Sequence, residues 1–526
     1  MNDCEFNLLA EPWIRVMRED CVVEEVSLTD ALIRSHEFRE LSGELPTQNA
    51  AVLRLLLAIL HAVFERVDAE GNPAGIEDSD GALDRWAELW QLGKFPEKPL
   101  NAYLEQQRDN FWLFHPERPF WQAAKIRDNA SRPQSEPIKK INGAISESGN
   151  KIRLFAERSG ASKDYLSNAE LARWLICMNQ YDDNTLKTGL GVAWLGRFAA
   201  ILAKGNTLFD TLMLNFVLLD YNGEPWDIGS ASWETRWNDT EEVRKIALPH
   251  DPVAVLSAHS RYGLFEKDQG VVRRYKSAKG GICFDDITKN ESMAIWKYDS
   301  KSDEYKYLRT YSGTQMWREF PTIIADAKGL SGVVNWQNLL VRVGILSHKQ
   351  MLCYEIVNIQ YDASQQSSVE DIYYDKLQLH ANLLSELGED YRVLITEEIA
   401  RCDTIAYYLG TLANDLFFAS GGDPEKKALP APKAKEQYYY EIDIPFRRWL
   451  ASLDAEDEDT DAGIDPWRQE AEQIARKMAE KMVRDAGPAA FVGKTVKVEE
   501  NSEPRYYSSS TAMQWFNINM SKLKNR

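Results

Sequence analysis

An adjacent histidine and aspartate, His250 and Asp251, are the residues of this sequence whose types come closest to hydrolytic chemistry. Imidazole nitrogens and carboxylate oxygens both bind divalent metals, and such pairs occur in metal-dependent phosphohydrolases. Apart from His250 and His36, the other five histidines do not group with acids in a recognisable spacing, and Pro252 follows the pair directly. A turn or helix cap before Pro252 is therefore the favoured interpretation. A metal-dependent nuclease or phosphohydrolase that uses His250 and Asp251 is the alternative.

Two other segments resemble a phosphate-binding loop and a zinc protease helix, but the spacing of their residues does not match either motif. Gly487 to Thr495 (GPAAFVGKT) has five residues between its glycines, where a phosphate-binding loop has four, and it follows a predicted helix instead of a strand. In the segment HEFRE, which begins at His36, Glu40 occupies the place where a zinc protease helix needs its second histidine. The sequence thus predicts no catalytic residue, no metal ligand and no cofactor, and it favours a protein that is not an enzyme.

A basic run stands out in a chain whose net charge is −19. An acidic total argues against binding nucleic acid, but a binding surface is local, and one short segment, residues 454–465, holds seven acids and no base. The run from Gly270 to Gly281 (GVVRRYKSAKGG) has no acid at all, and we interpret it as a loop. Its four cations are Arg273, Arg274, Lys276 and Lys279. A second predicted loop, residues 126–158, has seven Lys or Arg against four acids, and loops of this length are commonly functional.

The elements that must position these residues predict an α+β fold with two domains. Residues 1–370 read as a large mixed α/β domain with short strands at Trp13 to Val16 and Cys21 to Val26. A helix is predicted over Thr47 to Arg66 behind Pro46, and another from Thr207 to Leu218 with Asn206 as its cap.

Residues 371–526 predict a C-terminal four-helix bundle. Apolar residues recur at helical spacing between 395 and 419, where Gly421 and Gly422 then stop the helix. A further helix is predicted to begin at Asp465 and Pro466, with aspartate as its cap and proline in its first turn. The two remaining helices are predicted over Leu377 to Leu387 and Glu436 to Leu453.

The compartment expected for the chain is the cytoplasm. The six cysteines lie far apart without a C-x-x-C pair, which is typical of buried thiols in a reducing environment. The N-terminus lacks the basic and apolar regions of a secretory signal. The longest apolar helical pattern, Val52 to Phe64, is too short to span a bilayer, so no membrane association is expected.

Five segments in order along the chain resemble one family. They are FNLLAEPWIRV from Phe6, FWLFHPERPFWQ from Phe111, KGNTLFDTLMLN from Lys204, SAHSRYGLF from Ser257 and YEIDIPFRRWL from Tyr440. Together they resemble the CasA family, the large subunits of the type I-E CRISPR surveillance complex called Cascade. The matches are spread over most of the chain, and their order and spacing carry the assignment.

The resemblance implies a role in antiviral defence without chemistry in the chain itself. Members of the family recognise the protospacer-adjacent motif in double-stranded DNA, help to open the duplex for guide pairing and recruit a helicase-nuclease. The implied partners are duplex DNA, CRISPR RNA, the other Cascade subunits and that effector. In RNA-guided recognition, protein reads only a few base pairs, so a small groove reader and phosphate anchors suffice. We therefore expect a monomer that joins a hetero-oligomer in one copy.

The resemblance also implies which residues contact nucleic acid. The family's lysine-bearing finger corresponds to Arg273 through Lys279, with Lys276 and Lys279 as readers and Gly280 beside them. Its glutamine wedge corresponds to residues 361–371 (YDASQQSSVED), with Gln365, Gln366 and Ser364 as candidates. Its mobile loop corresponds to residues 148–157 (SGNKIRLFAE), and guide RNA or subunit contacts are expected from Asn150, Lys151, Leu154 and Phe155.

Alternatives remain for each of these segments. The finger could be a solvated hairpin, the wedge a polar turn, and Leu154 with Phe155 part of a core strand. Some relatives are glycine-rich after the helix corresponding to Leu171 to Asn179, whereas this chain has only Gly189, Gly191 and Gly196 there, so the sequence does not position the family's glycine loop. A purely structural scaffold that contacts only protein is a third functional alternative.

Overall fold

The chain divides into two compact units, each described here by itself. The computed structural model describes residues 4–129, 134–145, 158–182, 189–235, 240–311, 313–326, 328–361, 369–423, 430–456, 460–497 and 503–523. The first unit comprises Met1–Thr314, Asp326–Leu346 and Leu352–Lys376, and the second comprises Gln315–Ala325, Ser347–Met351 and Leu377–Arg526.

Seventeen short strands, joined in sheets of two or three within the described residues, mix with helices in the first unit and recur sparsely in the second. The strands are β1 (Glu5–Asn7), β2 (Ile14–Arg18), β3 (Val23–Val26), β4 (Phe38–Leu41), β5 (Trp112–Phe114), β6 (Gln134–Pro137), β7 (Ala200–Lys204), β8 (Val243–Ile246), β9 (Gly263–Asp268), β10 (Val271–Ser277), β11 (Gly281–Phe284), β12 (Trp296–Asp299), β13 (Glu304–Tyr307), β14 (Met351–Tyr361), β15 (Val369–His380), β16 (Lys494–Val496) and β17 (Arg505–Tyr507). The three-stranded sheets have the orders β3-β2-β4, β6-β10-β9 and β15-β14-β7.

The helices range from single turns to one of 31 residues, and the longest belong to the second unit. They are α1 (Leu28–Ile33), α2 (Pro46–Phe64), α3 (Ser79–Leu92), α4 (Glu97–Gln107), α5 (Ile126–Asn129), α6 (Asn168–Tyr181), α7 (Leu208–Asn215), α8 (Ser232–Thr235), α9 (Pro252–Ser257), α10 (Gly332–Arg342), α11 (Glu389–Ala419), α12 (Ala431–Ser452), α13 (Thr460–Asp485), α14 (Gly487–Val492) and α15 (Ser509–Lys522).

Helix α2 forms the centre of the first unit, packed against α6 and α9. Its predicted existence is confirmed, with Pro46 in the first turn where a missing N–H costs nothing. The helix is apolar and long enough to pass a length and composition test for a membrane span, but 94% of that window is buried inside the protein. Its one arginine, Arg54, is fully buried and makes an ion pair with Glu291, with Nη1 and Oε1 2.9 Å apart. A core helix accounts for all of these features.

The cap predicted for α7 is displaced by one residue. Thr207, and not Asn206, caps the helix: its hydroxyl accepts from the Asp210 amide at 3.0 Å, while the Asp210 carboxylate accepts from the Thr207 amide at 3.1 Å. This reciprocal pair satisfies two amides that the first turn would otherwise leave free. The helix also ends at Asn215, earlier than the predicted Leu218.

In the second unit, α11 packs against α12, α13 and α15. The helices predicted over 395–419 and 436–453 are confirmed as parts of α11 and α12. Aromatic stacking joins the elements, because Trp449 of α12 stacks on Trp467 of α13 with ring centroids 5.4 Å apart. Gly421, with φ of +90°, follows the end of α11 as predicted.

One helix prediction in this unit is wrong, and a second helix is confirmed but begins earlier than predicted. Residues 377–387 form no α-helix: Leu377 and Leu379 are buried with exposed Gln378 between them, which is strand alternation at the end of β15, and short 3₁₀ turns follow. Helix α13 begins at Thr460, so Pro466 lies inside the helix instead of opening it. The remaining long helix of this unit is α15, which was not predicted.

Candidate nucleic-acid interface

The basic segment from Gly270 to Gly281 is mainly a strand, which corrects the predicted loop. β10 is the central strand of its sheet and pairs antiparallel with β9 on one side and β6 on the other. The turn from β9 uses Gln269 and Gly270, both at positive φ (50° and 80°). β6 comes from the predicted 126–158 loop, so part of that segment is also ordered into sheet. Because β10 is hydrogen-bonded to a strand on each side, the backbone positions of Arg273, Arg274 and Lys276 are well fixed.

The two arginines of β10 are exposed but occupied by backbone contacts. Arg274 donates from Nε to Ser135 Oγ at 2.7 Å and from Nη2 to the Ser135 carbonyl. Arg273 donates from Nη1 to the Asp164 carbonyl at 3.3 Å. Both guanidinium groups therefore link neighbouring segments to β10, and within the described residues each has further N–H donors beyond those that these contacts use, which suit a phosphate oxygen.

The two lysines differ from the arginines, because neither side chain makes a hydrogen bond or an ion pair to any residue that the structure describes. Lys276 lies on β10 on the same face as Arg274 and is half-buried, whereas Lys279 follows the strand and is exposed. A lysine ammonium has three donors, which an unpaired side chain offers to solvent or to a ligand. These two cations are thus available for an anionic partner.

A pair of glycines lets the chain turn immediately after Lys279. Gly280 has φ of +151° and Gly281 has φ of +100°. A β-carbon at Gly280 would lie 2.7 Å from the Thr240 carbonyl oxygen and 3.1 Å from Glu241 Cα. Gly280 is itself buried, so its role here is to permit close backbone packing. From Gly281 the chain enters β11, which pairs parallel with β8.

Gly189 lies under the side chain of Lys279, a contact that the sequence did not predict. A β-carbon on Gly189 would sit 3.4 Å from Lys279 Cγ and 3.6 Å from Cε, and its φ of +85° favours glycine. The lysine stem therefore runs along backbone that carries no side chain. The first of the scattered glycines after α6 is in this way brought to the basic segment.

The backbone around Gly189 is held by two arginines that sequence reasoning did not single out. Arg261 has no exposed surface and donates from Nη2 to the carbonyls of Asp182 at 2.7 Å and Gly191 at 2.8 Å. Arg197 donates from Nε to the Val192 carbonyl at 3.0 Å. The available signal for Arg261 was its place in the segment SAHSRYGLF, where an arginine stands among small and aromatic residues.

The remaining predicted contact residues lie outside the described part of the chain. Ser364, Gln365 and Gln366 belong to residues 362–368, and Asn150, Lys151, Leu154 and Phe155 belong to residues 146–157. The residue before the first of these segments, Tyr361, is described, and its hydroxyl donates to the Tyr181 carbonyl. Tyr181 in turn is the last residue of α6, two positions before residues 183–188.

The His250 and Asp251 pair has a structural use, as favoured from the sequence. Asp251 caps α9, accepting from the amides of Val253 at 2.8 Å and Ala254 at 3.3 Å. His250 Nε2 lies 3.1 Å from Asp220 Oδ2. Burial raises the pKa of Asp251 to about 6. Within the described residues, no group of three or more His, Cys, Asp or Glu side chains is arranged to hold a metal ion.

Comparison with known proteins gives consistent matches over nearly the whole chain. The family model of CRISPR-associated protein Cse1 matches residues 7–478. A relative from Thermus thermophilus, described as CRISPR-associated protein CasA/Cse1, is 27% identical over 497 residues, which is 88% of this chain and 90% of the relative. The crystal structure of Thermobifida fusca Cse1 superposes with a TM-score of 0.78 at 26% identity, covering 98% of both chains.

A more distant match extends the fold comparison. A chain of a structure described as a CRISPR RNA-guided surveillance complex superposes with a TM-score of 0.67 at 16% identity, covering 91% of this chain and 95% of that one. At that identity the likeness concerns the mixed helix and strand fold.

Proposed function

The chain belongs to the family of CRISPR-associated protein Cse1, also named CasA, and from that premise we propose that it is the large subunit of a type I-E CRISPR RNA-guided surveillance complex in the cytoplasm. In this role it recognises the protospacer-adjacent motif in duplex DNA, helps to open the duplex and recruits the helicase-nuclease for antiviral defence. It performs no chemistry itself. Its partners are CRISPR RNA, the other Cascade subunits and double-stranded DNA.

The observation that carries this proposal is the exposed Lys279 lying over Gly189, with no side-chain partner among the described residues. A cation with no partner in the described chain is available to phosphate, and phosphate contacts supply most of the affinity of DNA binders. Bare glycine backbone beside it allows a duplex to approach closely without a side chain in the way. Lys276, on the same basic segment, supplies a second available charge.

The small extent of this basic surface fits recognition of a short motif. Base pairing with the guide reads the long target, which leaves only a few base pairs to the protein. In the minor groove, A·T and T·A pairs present nearly the same acceptors, so lysine donors there read a degenerate pattern. That chemistry suits a motif of which several variants are accepted.

Duplex opening is assigned to the segment between β14 and β15. Gln365 and Gln366, with Ser364, are proposed to insert between base pairs next to the motif, since a wedge that unstacks one step lowers the cost of opening the next. The hydroxyl of Tyr361 on the Tyr181 carbonyl supports this, because it brings the start of the wedge segment close to the backbone that leads to Gly189.

Assembly and recruitment are assigned to other surfaces. We propose that Asn150, Lys151, Leu154 and Phe155 contact the guide RNA or a neighbouring subunit. The four long helices α11, α12, α13 and α15 are proposed to be the family's C-terminal four-helix bundle.

The test is motif discrimination by the assembled complex. We would measure its affinity for duplexes that carry or lack a permissive motif, comparing wild type with Lys276→Ala/Lys279→Ala and, separately, Gln365→Ala/Gln366→Ala. The matched control is Lys301→Ala/Lys328→Ala, which removes two exposed lysines from elsewhere in the first unit.

We expect both test variants to lose discrimination with assembly intact, and the control to keep it. Unchanged discrimination in the test variants would show that these positions are wrongly assigned. A scaffold that contacts only protein predicts that no lysine variant alters DNA affinity.

A further inference from the structure

Arg261 joins the two ends of residues 183–190 through one guanidinium group. Its Nη2 donates to the carbonyl of Asp182 before the segment and to that of Gly191 after it, at 2.7 and 2.8 Å. Its Nε lies 2.5 Å from Asp182 Oδ2 as an ion pair. Arginine suits this position because its planar fork presents several donors at fixed angles, which lysine cannot reproduce.

The buried setting makes this bridge rigid. Arg261 has no exposed surface, and its own amide donates to Asn179 Oδ1 at 3.0 Å, which ties it to the last turn of α6. A buried charge must remain paired with its carboxylate, so the guanidinium has little freedom to move away from Asp182. The Gly191 carbonyl is therefore held at a fixed distance from the end of α6.

This constraint reaches Lys279 through Gly189. Gly189 lies two residues before Gly191, and the Lys279 stem lies close above it, since a β-carbon built on Gly189 would be 3.4 Å from Lys279 Cγ. The position of the Lys279 stem over Gly189 helps to set where its ammonium lies. Fixing the Gly191 carbonyl thus fixes the surface on which Lys279 rests.

We propose that Arg261 is a positioning residue for motif recognition: its bridge from Asp182 to Gly191 sets where Gly189 and Lys279 meet the duplex. This inference rests on the proposed function and adds to it a buried residue that does not contact DNA. It predicts that weakening the bridge relaxes motif discrimination while leaving the later steps of target binding unchanged.

The experiment compares Arg261→Lys with wild type in the assembled complex. Lysine keeps the positive charge beside Asp182 but cannot hold both carbonyls in the same geometry. Affinity would be measured on three targets: duplex with the motif, duplex without it, and a target opened beforehand by mismatches, which needs no motif-dependent opening. The control is Arg85→Lys, another buried arginine that donates to backbone carbonyls, those of Phe64 and Ala74, in an unrelated loop.

We expect Arg261→Lys to lose motif discrimination by about tenfold, the loss expected when hydrogen bonds from a charged group are broken, with wild-type affinity for the opened target. Arg85→Lys should retain full discrimination. A merely structural role would lower binding to all three targets together, and either that result or unchanged discrimination would overturn the inference.

A second variant keeps the inference testable where Arg261→Lys does not assemble. Asp182→Asn removes the carboxylate charge but retains the Asp182 carbonyl, so we expect a smaller loss of discrimination in the same direction. No loss with Asp182→Asn in an assembled complex would reject the bridge. If the proposed function itself is wrong, the wild-type complex will not distinguish duplex with the motif from duplex without it. That result would also reject the positioning role. If Lys279→Ala loses motif discrimination but Arg261→Lys discriminates as well as wild type, only the positioning role is wrong.

Discussion

The hydroxyl of Tyr361 donates a hydrogen bond to the backbone carbonyl of Tyr181, joining the end of β14 to the end of α6. A β-carbon at Gly196 would lie 2.8 Å from this hydroxyl, so the tyrosine is also closely packed. Tyr361 is the first residue of the segment that holds the candidate wedge glutamines. The start of that segment and the end of α6 therefore share one hydrogen bond.

Tyr361→Phe should slow motif-dependent opening of the duplex. The substitution keeps the ring and removes only the hydroxyl, so the expected loss is that of one net hydrogen bond, about 0.5–1.5 kcal/mol or roughly two- to tenfold. The rate of guide pairing on motif-containing duplex is the measurement. Tyr354→Phe is the control, because Tyr354 lies on the same strand and donates to Gln337 Oε1 at 2.6 Å away from the basic segment. Equal effects of the two variants would argue against a specific role for Tyr361.

Lys279→Ala should change how DNA affinity depends on salt. Each phosphate contact releases counterions, so losing one should reduce the slope of log affinity against log salt concentration by about one. Titrations of the complex at several salt concentrations provide the slope. Lys301→Ala should leave it as in wild type, and an unaltered slope for Lys279→Ala would mean that this lysine does not meet phosphate.

Gly229→Ala should destabilise the first unit. A β-carbon there would lie 1.4 Å from Asp251 Oδ2, so the α9 cap would have to move. Overpacking of this kind costs about 1–3 kcal/mol. The measurement is the thermal midpoint, with Gly75→Ala as the control because nothing lies within 4 Å of its added β-carbon. A midpoint equal to that of the control would contradict the close contact.

The stability of the first unit should fall as pH rises from about 4 to about 6. Burial raises the Asp251 pKa from 3.8 to about 6, so the folded state binds the proton more tightly than the unfolded state in that window. The free energy of unfolding then decreases as the proton is lost, and the decrease is complete above the folded pKa. Asp251→Asn, which also caps helices well, should flatten this part of the profile. Denaturation at pH 4.5 and 7.5 tests it, and identical pH profiles for both proteins would exclude Asp251 as the cause.

The isolated chain should not cleave DNA in the presence of magnesium or manganese. His250 is already paired with Asp220, and Asp251 is used in capping α9. Incubation of supercoiled and single-stranded DNA with each metal, with and without chelator, is the measurement. Divalent-dependent cleavage that His250→Ala abolishes would favour the nuclease alternative.

Sequence periodicity predicted the helices in which apolar residues recur at helical spacing. α2, α11 and the middle of α12 carry regular apolar spacing, and their predicted existence is confirmed. The helix predicted over residues 377–387 was wrong because the spacing of Leu377, Leu379, Leu383 and Leu384 fits a helix as well as a strand followed by turns. Pairing of β15 with β14 decides in favour of the strand. The start of α13 at Thr460 was missed because proline is more common in the first turn of a helix than in its interior, whereas Pro466 lies inside this helix.

The candidate site was only partly predictable. The four cations of the basic segment were visible because they occur together without an acid, but local composition could not tell a central strand from a loop. The contact of Gly189 with Lys279 joins residues 90 positions apart, and the Arg261 bridge spans about 70 to 80. Contacts at such separations depend on how the sheets assemble, which spacing along the chain does not encode.

Under the proposed function, Lys276 and Lys279 have a consequence for how long the complex stays on DNA. The segment offers Lys276 and Lys279 as cations, whereas the chain as a whole has a net charge of −19, which disfavours the approach of a duplex at long range. Encounters with arbitrary sequence would then be brief, because weak contacts raise the dissociation rate more than they lower the association rate. The subunit would bind many genomic sites briefly and would stay bound longer only where guide pairing begins.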